Sequence, residues 1–434
     1  MSLRETTFSP DFKPQPYWWD ASPQEASGET DPPRKTDILV IGAGYTGLHA
    51  AIETARAGLH TTVIDAEAAG WGCSTRNGGQ VSTSVKPSFG ALRKRYGENL
   101  AIAILREGQA SLDHVTDFIR TEEIDCDFSV VGRFHGAHTA RHYDILAREC
   151  ESRHPGFETG AYMVPRSEQR LELGTEAYYG GAVFPRHASV DPGKYHAGLL
   201  RVAREAGAGV VSHCAATDIT RTATGFEVTT PAGRIRAGKV ILATNGYTGN
   251  LAPWHRRRVI PIGSYVIATE EIPAALMDRL FPTNRILSDT RKLVYYYRPS
   301  PDRKRVLFGG RVSLAETDPK KSGPKLHAEL VRLFPELSDT RLSHSWAGTV
   351  AFSFDTLAHC GEDRGLYHAM GYCGSGVGMA GYLGARIGRC AAGLDTDPGA
   401  FGKRRYQTRP FYTGSPWFLA PSVAFFRLRD RLGI

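Results

Sequence analysis

The apolar and polar positions near the start of the chain follow two periods in succession. An unbroken apolar run at 37–41 leads into a glycine-rich turn, and small and apolar residues then recur at helical spacing as far as Gly58. A second apolar run ends at Asp65. This order predicts a buried strand, a sharp turn and a helix over 36–58, followed by a second strand over 60–65.

Helical and strand patterns also mix in the rest of the chain. Apolar residues at helical spacing predict a helix over 91–120. Asp191 followed by Pro192 is typical of an N-cap with proline at the first helical position, and this helix would extend to about Ala206. The other predicted elements are strands at 210–211, 226–230, 234–236 and 239–244, and a strand-rich section over 259–314 with clear runs at 295–297 and 306–308.

Length and composition narrow the class of protein. A chain of 434 residues is too long for one small core and indicates two interleaved domains. Hydrophobic residues make up 41% and charged residues 23%, as in ordinary globular proteins. No apolar run approaches the roughly 20 residues of a membrane span, and the N-terminus lacks a secretion signal. We therefore expect a cytoplasmic protein without a membrane span.

Cysteine usage and charge exclude several kinds of site. The seven cysteines are odd in number and form no CxxC pair, which argues against a disulfide framework, a zinc site or any other metal centre. The net charge is +8, but the arginines are scattered. The tightest cluster, at 256–258, lacks interleaved aromatic residues, so we expect no nucleic-acid partner.

The strongest motif is the GxGxxG turn between the first strand and helix. Gly42 permits the tight turn, Gly44 lets the backbone approach a pyrophosphate, and Gly47 lets the helix pack close to the strand. Asp65, at the end of the second strand, is placed to bind the ribose hydroxyls and would repel the 2′-phosphate of NADP. The predicted cofactor contacts of this unit are Gly42, Gly44, Tyr45, Thr46, Gly47, Asp65 and Ala66.

A polar, glycine-rich loop at 70–80 follows this unit and favours FAD over NAD. Many N–H and hydroxyl donors in one loop suit a diphosphate and a ribityl chain, although an ordinary polar turn is the alternative. The chain also has no second GxGxxG, which counts against a pyridine-nucleotide disulfide-reductase plan. The predicted contacts here are Gly72, Cys73, Ser74, Arg76, Asn77, Gly78 and Gly79.

Together these motifs resemble the D-amino-acid oxidase/glycine oxidase superfamily of FAD-dependent amine oxidoreductases, in particular its γ-glutamylputrescine oxidase-like group. Further segments that carry the resemblance are 17–18, 243–247, 261–270, 346–348, 371–378 and 425–430. The resemblance implies an α/β fold in which a Rossmann-type FAD-binding domain is interleaved with a substrate domain built on a large mixed β-sheet. We divide the chain into an N-terminal surface arm (1–35), an FAD-binding domain (36–95, 192–250 and 344–400), a substrate domain (96–191 and 251–343) and a C-terminal tail (401–434).

The resemblance also implies roles for single residues. Residues 74–78 would follow the diphosphate and flavin, and the backbone of Ala216 would pass the adenine. A helix opening at 374–378 would face the pyrimidine edge of the flavin, where a helix N-terminus stabilises the charge left by reduction. Residues 348–352 include no cysteine, so the FAD is expected to be non-covalent. The further implied contacts are Thr244, Asn245, Gly246, Gly374, Ser375, Gly376, Val377 and Gly378.

The substrate site is expected in the strand-rich section. Arg311 is a candidate for binding the substrate, with a salt bridge as the alternative. Tyr297 is a second candidate. In a strand it shares one face with Tyr295 while Tyr296 takes the other, and the alternative for such a tyrosine pair is a place in the core or at the rim of the sheet. Trp346 is expected near the flavin ring. No catalytic histidine is named, because His135, His138, His142 and His187 lie in irregular regions and each has a structural interpretation.

The implied reaction is oxidation of a small amine or amino acid. Hydride would pass from the carbon beside nitrogen to the flavin, the imine would hydrolyse, and O2 would be reduced to H2O2. A carboxylate on the substrate is expected from the basic charge balance and from Arg291, Arg298 and Arg311. Leu307 stands where some relatives carry an oxygen-activating lysine, which leaves open a dehydrogenase with another acceptor. A non-catalytic FAD-binding protein is the third possibility.

Overall fold

The computed structural model describes residues 7–23, 31–83, 85–151, 159–313 and 316–433. The strands are β1 (Phe8–Lys13), β2 (Lys35–Ile41), β3 (Thr61–Ile64), β4 (Gln80–Val81), β5 (Arg133–Gly136), β6 (Tyr162–Val164), β7 (Gly181–Phe184), β8 (Ala188–Ser189), β9 (Gly209–Val211), β10 (Asp218–Thr222), β11 (Gly225–Thr230), β12 (Gly233–Leu242), β13 (Val259–Thr269), β14 (Ile286–Asp289), β15 (Tyr296–Pro299), β16 (Val306–Gly310), β17 (Leu342–Ser353), β18 (His359–Asp363) and β19 (Leu366–Met370). The helices are α1 (Trp18–Ala21), α2 (Tyr45–Arg56), α3 (Phe89–Tyr96), α4 (Glu98–Thr121), α5 (Ala140–Glu151), α6 (Pro192–Glu205), α7 (Pro253–Arg256), α8 (Ala274–Leu280), α9 (Pro319–Leu333), α10 (Gly376–Ala392) and α11 (Leu419–Leu432). In this part of the chain, no helix combines the length and the apolar character that crossing a bilayer requires.

The predicted strand–turn–helix–strand unit is confirmed as β2, α2 and β3. The predicted helix after Asp191 is also confirmed, and the Asp191 carboxylate accepts hydrogen bonds from the N–H groups of Gly193 and Lys194 at its start. The single helix predicted over 91–120 is instead divided into α3 and α4. The break falls at Gly97, whose φ of +80° lies outside helical values.

A nucleotide-binding sheet is built from five parallel strands in the order β19-β12-β2-β3-β9. In the β10–β11 hairpin, β11 pairs with the first half of β12. The strand β18 pairs with β19. Ile41, Leu242 and His368 are in register, so the strands β2, β12 and β19 end at the same edge. Ligands of open α/β sheets bind at such an edge.

The helices α2 and α10 lie in backbone contact on one face of this sheet. A Cβ at Gly384 would lie 2.4 Å from the carbonyl oxygen of Thr46, and one at Gly388 would lie 2.7 Å from the carbonyl oxygen of Ala50. The helix α4 packs against the same hydrophobic cluster. The segment 98–121 therefore packs with the nucleotide-binding half, although the sequence assigned it to the substrate domain.

The second sheet is mixed and has nine strands in the order β1-β17-β13-β16-β15-β14-β5-β7-β6. One face packs against α8 and α9 in a separate hydrophobic cluster. The long strand β17 belongs to this sheet, whereas residues 344–353 were assigned to the FAD-binding domain. An apolar alternation shows that a strand is half-buried but does not show which sheet it joins. The predicted α/β class, with a Rossmann-type sheet interleaved with a large mixed sheet, is confirmed.

Most of the described residues 7–23 of the predicted N-terminal arm keep solvent exposure, but the segment is joined to the mixed sheet. The strand β1 pairs in parallel with β17, and Trp18 is 0% exposed. The Trp18 ring packs with Val266, Leu307 and Trp346. Burial of an aromatic side chain of this size explains why the segment is held on the sheet.

A buried charge cluster fastens the C-terminal segment. The Asp355 carboxylate accepts hydrogen bonds from Arg404 Nη1 at 2.6 Å, from His359 Nε2 at 2.9 Å and from Ser353 Oγ at 2.8 Å. Burial alone would raise the pKa of Asp355, but the His359 hydrogen bond and the Arg404 charge outweigh it, and the pKa lies well below its ordinary value. The ion pair therefore favours the ionised carboxylate in the folded protein.

We expect Asp355→Asn to lower the free energy of unfolding by about 3–5 kcal/mol at pH 7, because it leaves the buried Arg404 charge uncompensated. The depressed pKa of Asp355 contributes stability that is complete above the pKa of the unfolded chain, about 3.9, and is lost as the pH falls through the folded pKa. Urea denaturation of the wild type should thus show a steeper loss of stability with acid than that of Asp355→Asn. Asp117→Asn, in an exposed pair with Arg120, is the control. Equal acid dependence in the wild type and Asp355→Asn would contradict this account.

Candidate active site

Three loops meet where β2, β12 and β19 end. They are 42–44, 243–246 and 371–375. The Gly371 N–H donates to the Asn245 side-chain oxygen at 2.9 Å, and the Thr46 and Tyr372 hydroxyls lie 2.6 Å apart. These bonds tie the loops into one surface at the edge of the sheet.

The three motif glycines stand where no side chain fits. Gly42 has a φ of +111°, and a Cβ there would lie 2.9 Å from the Ala243 oxygen. A Cβ at Gly47 would lie 1.8 Å from the Gly42 oxygen. Gly44 is the N-cap of α2, and its Cβ would lie 2.7 Å from Ser74 Oγ. Gly44 therefore adds no side chain at the N-terminus of α2, which favours the close approach of an anion.

Asp65 follows β3 directly and is held by backbone donors. Its two carboxylate oxygens accept hydrogen bonds from Ala43 N at 2.7 Å and Glu67 N at 3.0 Å. Burial raises its pKa. The Asp65 carbonyl also accepts from Cys214 N, which brings the segment containing Ala216 alongside, while Ala66 is exposed. The arrangement leaves carboxylate lone pairs for a ribose at the end of the strand.

The polar loop at 72–79 lies against the start of α2. Ser74 Oγ accepts a hydrogen bond from Tyr45 N at 3.0 Å and so caps the helix. The Arg76 guanidinium lies between the Trp19 and Trp71 rings, and Asn77 donates to the carbonyls of Cys73 and Ser74. The Arg76 and Asn77 side chains thus shape the loop from within, and its backbone and Ser74 remain to meet a diphosphate.

Three indole N–H groups hold this loop. Trp346 donates to the Arg76 carbonyl at 2.9 Å, Trp18 to the Asn77 carbonyl at 2.8 Å, and Trp19 to Thr75 Oγ1 at 2.9 Å. Trp346 is 0% exposed, so the structure places it beneath the loop. The roles of Trp18 and Trp19 were missed in the sequence, where the aromatic run at 17–19 was the only signal.

One face of the mixed sheet packs against α8 and α9, and the other face contacts this loop. The Tyr296 ring lies here: a Cβ at Gly78 would be 3.0 Å from it, and the Tyr296 and Ser264 hydroxyls are 2.9 Å apart. Tyr297 lies on the other face, 1% exposed, and donates to the Tyr178 hydroxyl. The structure therefore brings Tyr296 to the loop, whereas the sequence had favoured Tyr297.

The loop, this face and the start of α10 border a space that we call the cleft. At its border, Lys86 and Tyr247 are exposed, whereas His135 and Tyr296 are partly buried. Burial lowers the pKa of His135 to about 3 and raises that of Tyr296 to about 12. The glycine cradle and the cleft together fit a dinucleotide that extends from Asp65 to the mixed sheet. Lys86 has no distinctive sequence motif and was missed.

The candidate arginines all have acceptors within the protein. Arg311 Nη1 donates to the Gly263 carbonyl at 2.5 Å and to Glu316 at 3.1 Å. Arg291 pairs with Asp289. Arg298 is buried and donates to the carbonyls of Gly79 and Val190, so it supports the loop. These contacts favour the salt-bridge interpretation of Arg311.

The histidines also have nearby partners. His135 Nδ1 lies 2.8 Å from Ser288 Oγ, and His138 Nδ1 lies 2.7 Å from Thr290 Oγ1. The partner of His142 is Thr139, and that of His187 is Thr83. Of the four, the structure places His135 in the cleft.

The second glycine loop precedes α10. Cys373 and Gly374 have φ values of +55° and +93°, and the helix begins at Gly376, with Val377 and Gly378 in its first turn. A Cβ at Gly374 would lie 3.9 Å from Lys86 Nζ. Beside it, Thr244 and Thr248 share a hydrogen bond, and a Cβ at Gly246 would lie 3.0 Å from Thr349. The N-terminus of α10 is therefore directed into the cleft.

Residues 37–389 match the family model described as DAO, FAD dependent oxidoreductase. The chain belongs to the DAO family. FAD is accordingly its cofactor, and the cradle and cleft described above are the residues that would hold it. The resemblance proposed from the sequence motifs is confirmed.

Known DAO-family proteins are similar over almost the whole chain. A probable oxidoreductase OrdL of Rhizobium meliloti (strain 1021) is 30% identical over 92% of this chain and 93% of its own length. The gamma-glutamylputrescine oxidoreductase of Escherichia coli (strain K12) is 29% identical, with the same coverage. The crystal structure of glycine oxidase from Geobacillus kaustophilus superposes with a TM-score of 0.71 at 20% identity, covering 86% of this chain and 99% of that one. The last comparison shows a shared fold.

We expect Gly44→Val to abolish FAD binding, because the side chain would enter the space of the pyrophosphate and displace Ser74. Asp65→Ala should weaken binding by about ten- to a hundredfold, through loss of charge-assisted hydrogen bonds of about 1.5–3 kcal/mol. Titration of the apoprotein with FAD measures both. Gly90→Val is the matched control, since no atom lies within 4 Å of its Cβ position. Unchanged FAD affinity in Gly44→Val would show that the site lies elsewhere.

We also expect the FAD to be released intact by acid precipitation. A covalent bond to the flavin would need a thiolate. The thiol of Cys73, in the loop at 72–79, donates a hydrogen bond to the Thr349 carbonyl, and burial raises its pKa, so the thiolate is disfavoured. Absorbance of the supernatant at the flavin maximum measures the released fraction. Flavin that stays with the precipitated protein would contradict a non-covalent cofactor.

Proposed function

We propose that this protein oxidises the C–N bond of a small amine or amino acid to an imine and passes the electrons to O2. The observation that carries the proposal is the position of the glycine cradle beside the cleft, which the loop at 72–79, the Tyr296 face of the mixed sheet and the start of α10 border. A flavin held by the cradle and a small molecule would meet there. The names of the relatives, which include a gamma-glutamylputrescine oxidoreductase and a glycine oxidase, support an amine as the substrate.

When bound, FAD supplies the two-electron acceptor for the hydride that leaves the carbon beside nitrogen. The chain encloses this event: the loop and the Tyr296 face of the sheet exclude water and hold the substrate near the cofactor. The amine must lose a proton before or during oxidation. His135, with a pKa of about 3, is a weak base, and the amine therefore arrives neutral or gives its proton to water. Water then hydrolyses the imine to a carbonyl compound and a free amine or ammonia.

We further propose that the substrate carries a carboxylate. The charges of Arg133 and Lys86 both act on His135 and help to lower its pKa, and local positive charge favours an anionic ligand. A carboxylate held at one end of the cleft would leave the carbon beside nitrogen in a defined position relative to the cofactor. The arginines first considered for this role are engaged with protein acceptors.

O2 is the proposed acceptor, and a dehydrogenase with another acceptor is the alternative. Leu307 is 1% exposed and packs with Trp18 and Trp346, and its apolar side chain offers neither a charge nor a proton to assist the reduction of O2. The shape of the protein around the cleft is compatible with either acceptor. The rates of flavin reoxidation by O2 and by another acceptor therefore distinguish an oxidase from a dehydrogenase.

The function is tested by mixing the oxidised holoenzyme anaerobically with amines and amino acids, each with and without a carboxylate. We expect flavin absorbance to be lost with at least one carboxylated amine and to return on admission of air, with one H2O2 formed per amine oxidised. Rapid reduction without H2O2, followed by reoxidation with an artificial quinone, would identify a dehydrogenase. An absence of reduction by every compound would favour a non-catalytic FAD-binding protein.

A further inference from the structure

The C-terminal helix α11 packs on the rest of the protein by one side. Val423 is buried on this side, and the Arg427 guanidinium donates to the Val312 carbonyl at 3.0 Å. The Asp430 carboxylate accepts hydrogen bonds from the two consecutive N–H groups of 292–293, at 2.8 and 2.9 Å. Residues 423, 427 and 430 follow the helical repeat, so they form one inner face of α11.

The opposite side of α11 is apolar and is directed away from the protein. Phe425, Leu428 and Leu432 are 57%, 56% and 61% exposed. They recur at the spacing of a helix face, on the side opposite Val423 and Asp430. A surface helix normally carries charged and polar residues on its outer side. The pattern of α11 is therefore inverted, which is typical of a helix that binds something outside the chain.

The segment before α11 displays two further aromatic rings. Phe411 is 94% exposed and Trp417 is 73% exposed. Phe411 has a φ of +62°, in the left-handed region that favours glycine, and the Tyr412 N–H donates to the Arg409 carbonyl at 3.3 Å across this turn. The Phe411 side chain thus brings the fold neither burial nor a relaxed backbone, and its ring is available to a partner.

Cations accompany these rings. Arg257, Arg405, Arg409 and Arg431 are exposed, and none of the four is in an ion pair with another described residue. The Thr408 hydroxyl donates to the Arg257 carbonyl at 2.5 Å, which fixes the segment with Arg405 and Arg409 beside Arg257, while Arg431 is in the last turn of α11. We call the five exposed apolar residues and these four arginines the tail surface. It is apolar and positively charged at once.

These two properties together decide among the possible partners. In a symmetric dimer built on the tail surface, the arginines of one copy would approach those of the other, because such an interface pairs a patch with itself. Like charges that face each other weaken an association. A bilayer that contains anionic lipid has an apolar layer beneath a negative surface, so it suits the rings and the arginines alike. Charge complementarity therefore favours a membrane surface.

We propose that the tail surface docks this protein on a bilayer that contains anionic lipid. The 14 residues of α11 are too few to cross a hydrocarbon core, which needs about 20, so the helix would lie in the plane of the interface. Phe425, Leu428 and Leu432 would enter the boundary between headgroups and acyl chains, and the arginines would contact lipid phosphates. This inference is independent of the proposed amine oxidation.

The test measures sedimentation of the FAD-loaded protein with vesicles of phosphatidylcholine alone, or of phosphatidylcholine mixed equally with phosphatidylglycerol (mixed vesicles). We expect binding to the mixed vesicles and at least about tenfold weaker binding to the neutral ones, since each arginine near an anionic surface contributes about fivefold. High salt should weaken the binding. A wild type that stays in the supernatant with mixed vesicles, or that binds both kinds equally, would overturn the inference.

The apolar residues are tested by two variants. Phe425→Ser/Leu428→Ser/Leu432→Ser should bind mixed vesicles about a hundredfold more weakly, because three side chains no longer leave water on docking. Phe411→Gly should weaken binding about tenfold. Its melting temperature should stay close to that of the wild type, since relief of the backbone strain offsets the greater freedom of glycine in the unfolded chain.

A matched triple variant is the control for the apolar face. Val130, Leu171 and Leu394 lie elsewhere in the chain and are 58%, 68% and 55% exposed. Replacing all three by serine should leave vesicle binding unchanged. An equal loss in this control and in the α11 triple variant would overturn the inference.

The charges are tested by Arg405→Gln/Arg409→Gln, which should weaken binding to mixed vesicles by about ten- to thirtyfold. Arg34→Gln/Arg236→Gln is the control, because these arginines are also exposed and without an ion pair in the described ranges, and they lie together at the start of β2. The control should bind like the wild type. If both double variants lost binding equally, the arginines of the tail surface would have no special role and the inference would fail.

Sedimentation velocity without lipid tests the other possible partner, a second copy of the chain. A dimeric wild type together with a monomeric α11 triple variant would assign the face to that copy and overturn the docking. Melting temperature and flavin content establish that each variant is folded and loaded. Vesicle binding by a protein that oxidises no amine would support this inference and remove only the proposed function, whereas amine oxidation without vesicle binding would do the reverse.

Discussion

Three hydrogen bonds from indole N–H groups to the loop at 72–79 are the contacts on which the active site depends. Trp18, Trp19 and Trp346 come from the N-terminal segment and from β17, which are more than 300 residues apart in the sequence. Two of the rings are completely buried, so their polar atoms require partners, and the loop supplies them. The loop is thereby held against the mixed sheet, beside the cleft.

The same loop joins the two halves of the molecule. At one end, Ser74 caps α2 of the nucleotide-binding sheet; at the other, Gly79 accepts a hydrogen bond from Arg298 of the mixed sheet. The intervening Arg76 guanidinium lies 4.7 Å from the centre of the Trp19 ring and 4.4 Å from that of Trp71. The glycine cradle and the proposed substrate site thus share a single framework.

The arginines first considered for the substrate have partners within the protein. Arg291, Arg311 and Arg404 are paired with carboxylates, and Arg298 donates to carbonyls. The overall charge of +8 is therefore a poor guide to function, because these cations serve the fold.

The cofactor-binding unit could be predicted from the sequence, because its chemistry is local. The strand, the glycine turn and α2 form a continuous segment in which steric limits at Gly42 and Gly47 leave little choice of residue, and Asp65 follows within one further strand. The fold class followed from the same motif and the resemblance it carries. The predicted cofactor contacts remain predictions. The structure places the loops 42–44, 243–246 and 371–375, which contain several of them, together at one edge of the sheet.

What the sequence left open depends on contacts between distant segments. Alternation at 295–297 showed that Tyr296 and Tyr297 face opposite ways, but only the second sheet decides which face meets the loop. Burial of Trp18 and the sheet to which β17 belongs each require elements far apart in the chain to pack together. The sequence by itself determined the cofactor cradle, whose geometry is set by neighbouring residues. Only the tertiary structure decided the surroundings of the cleft, since the loop at 72–79, β15 and the start of α10 are far apart in the sequence and no short-range pattern brings them together.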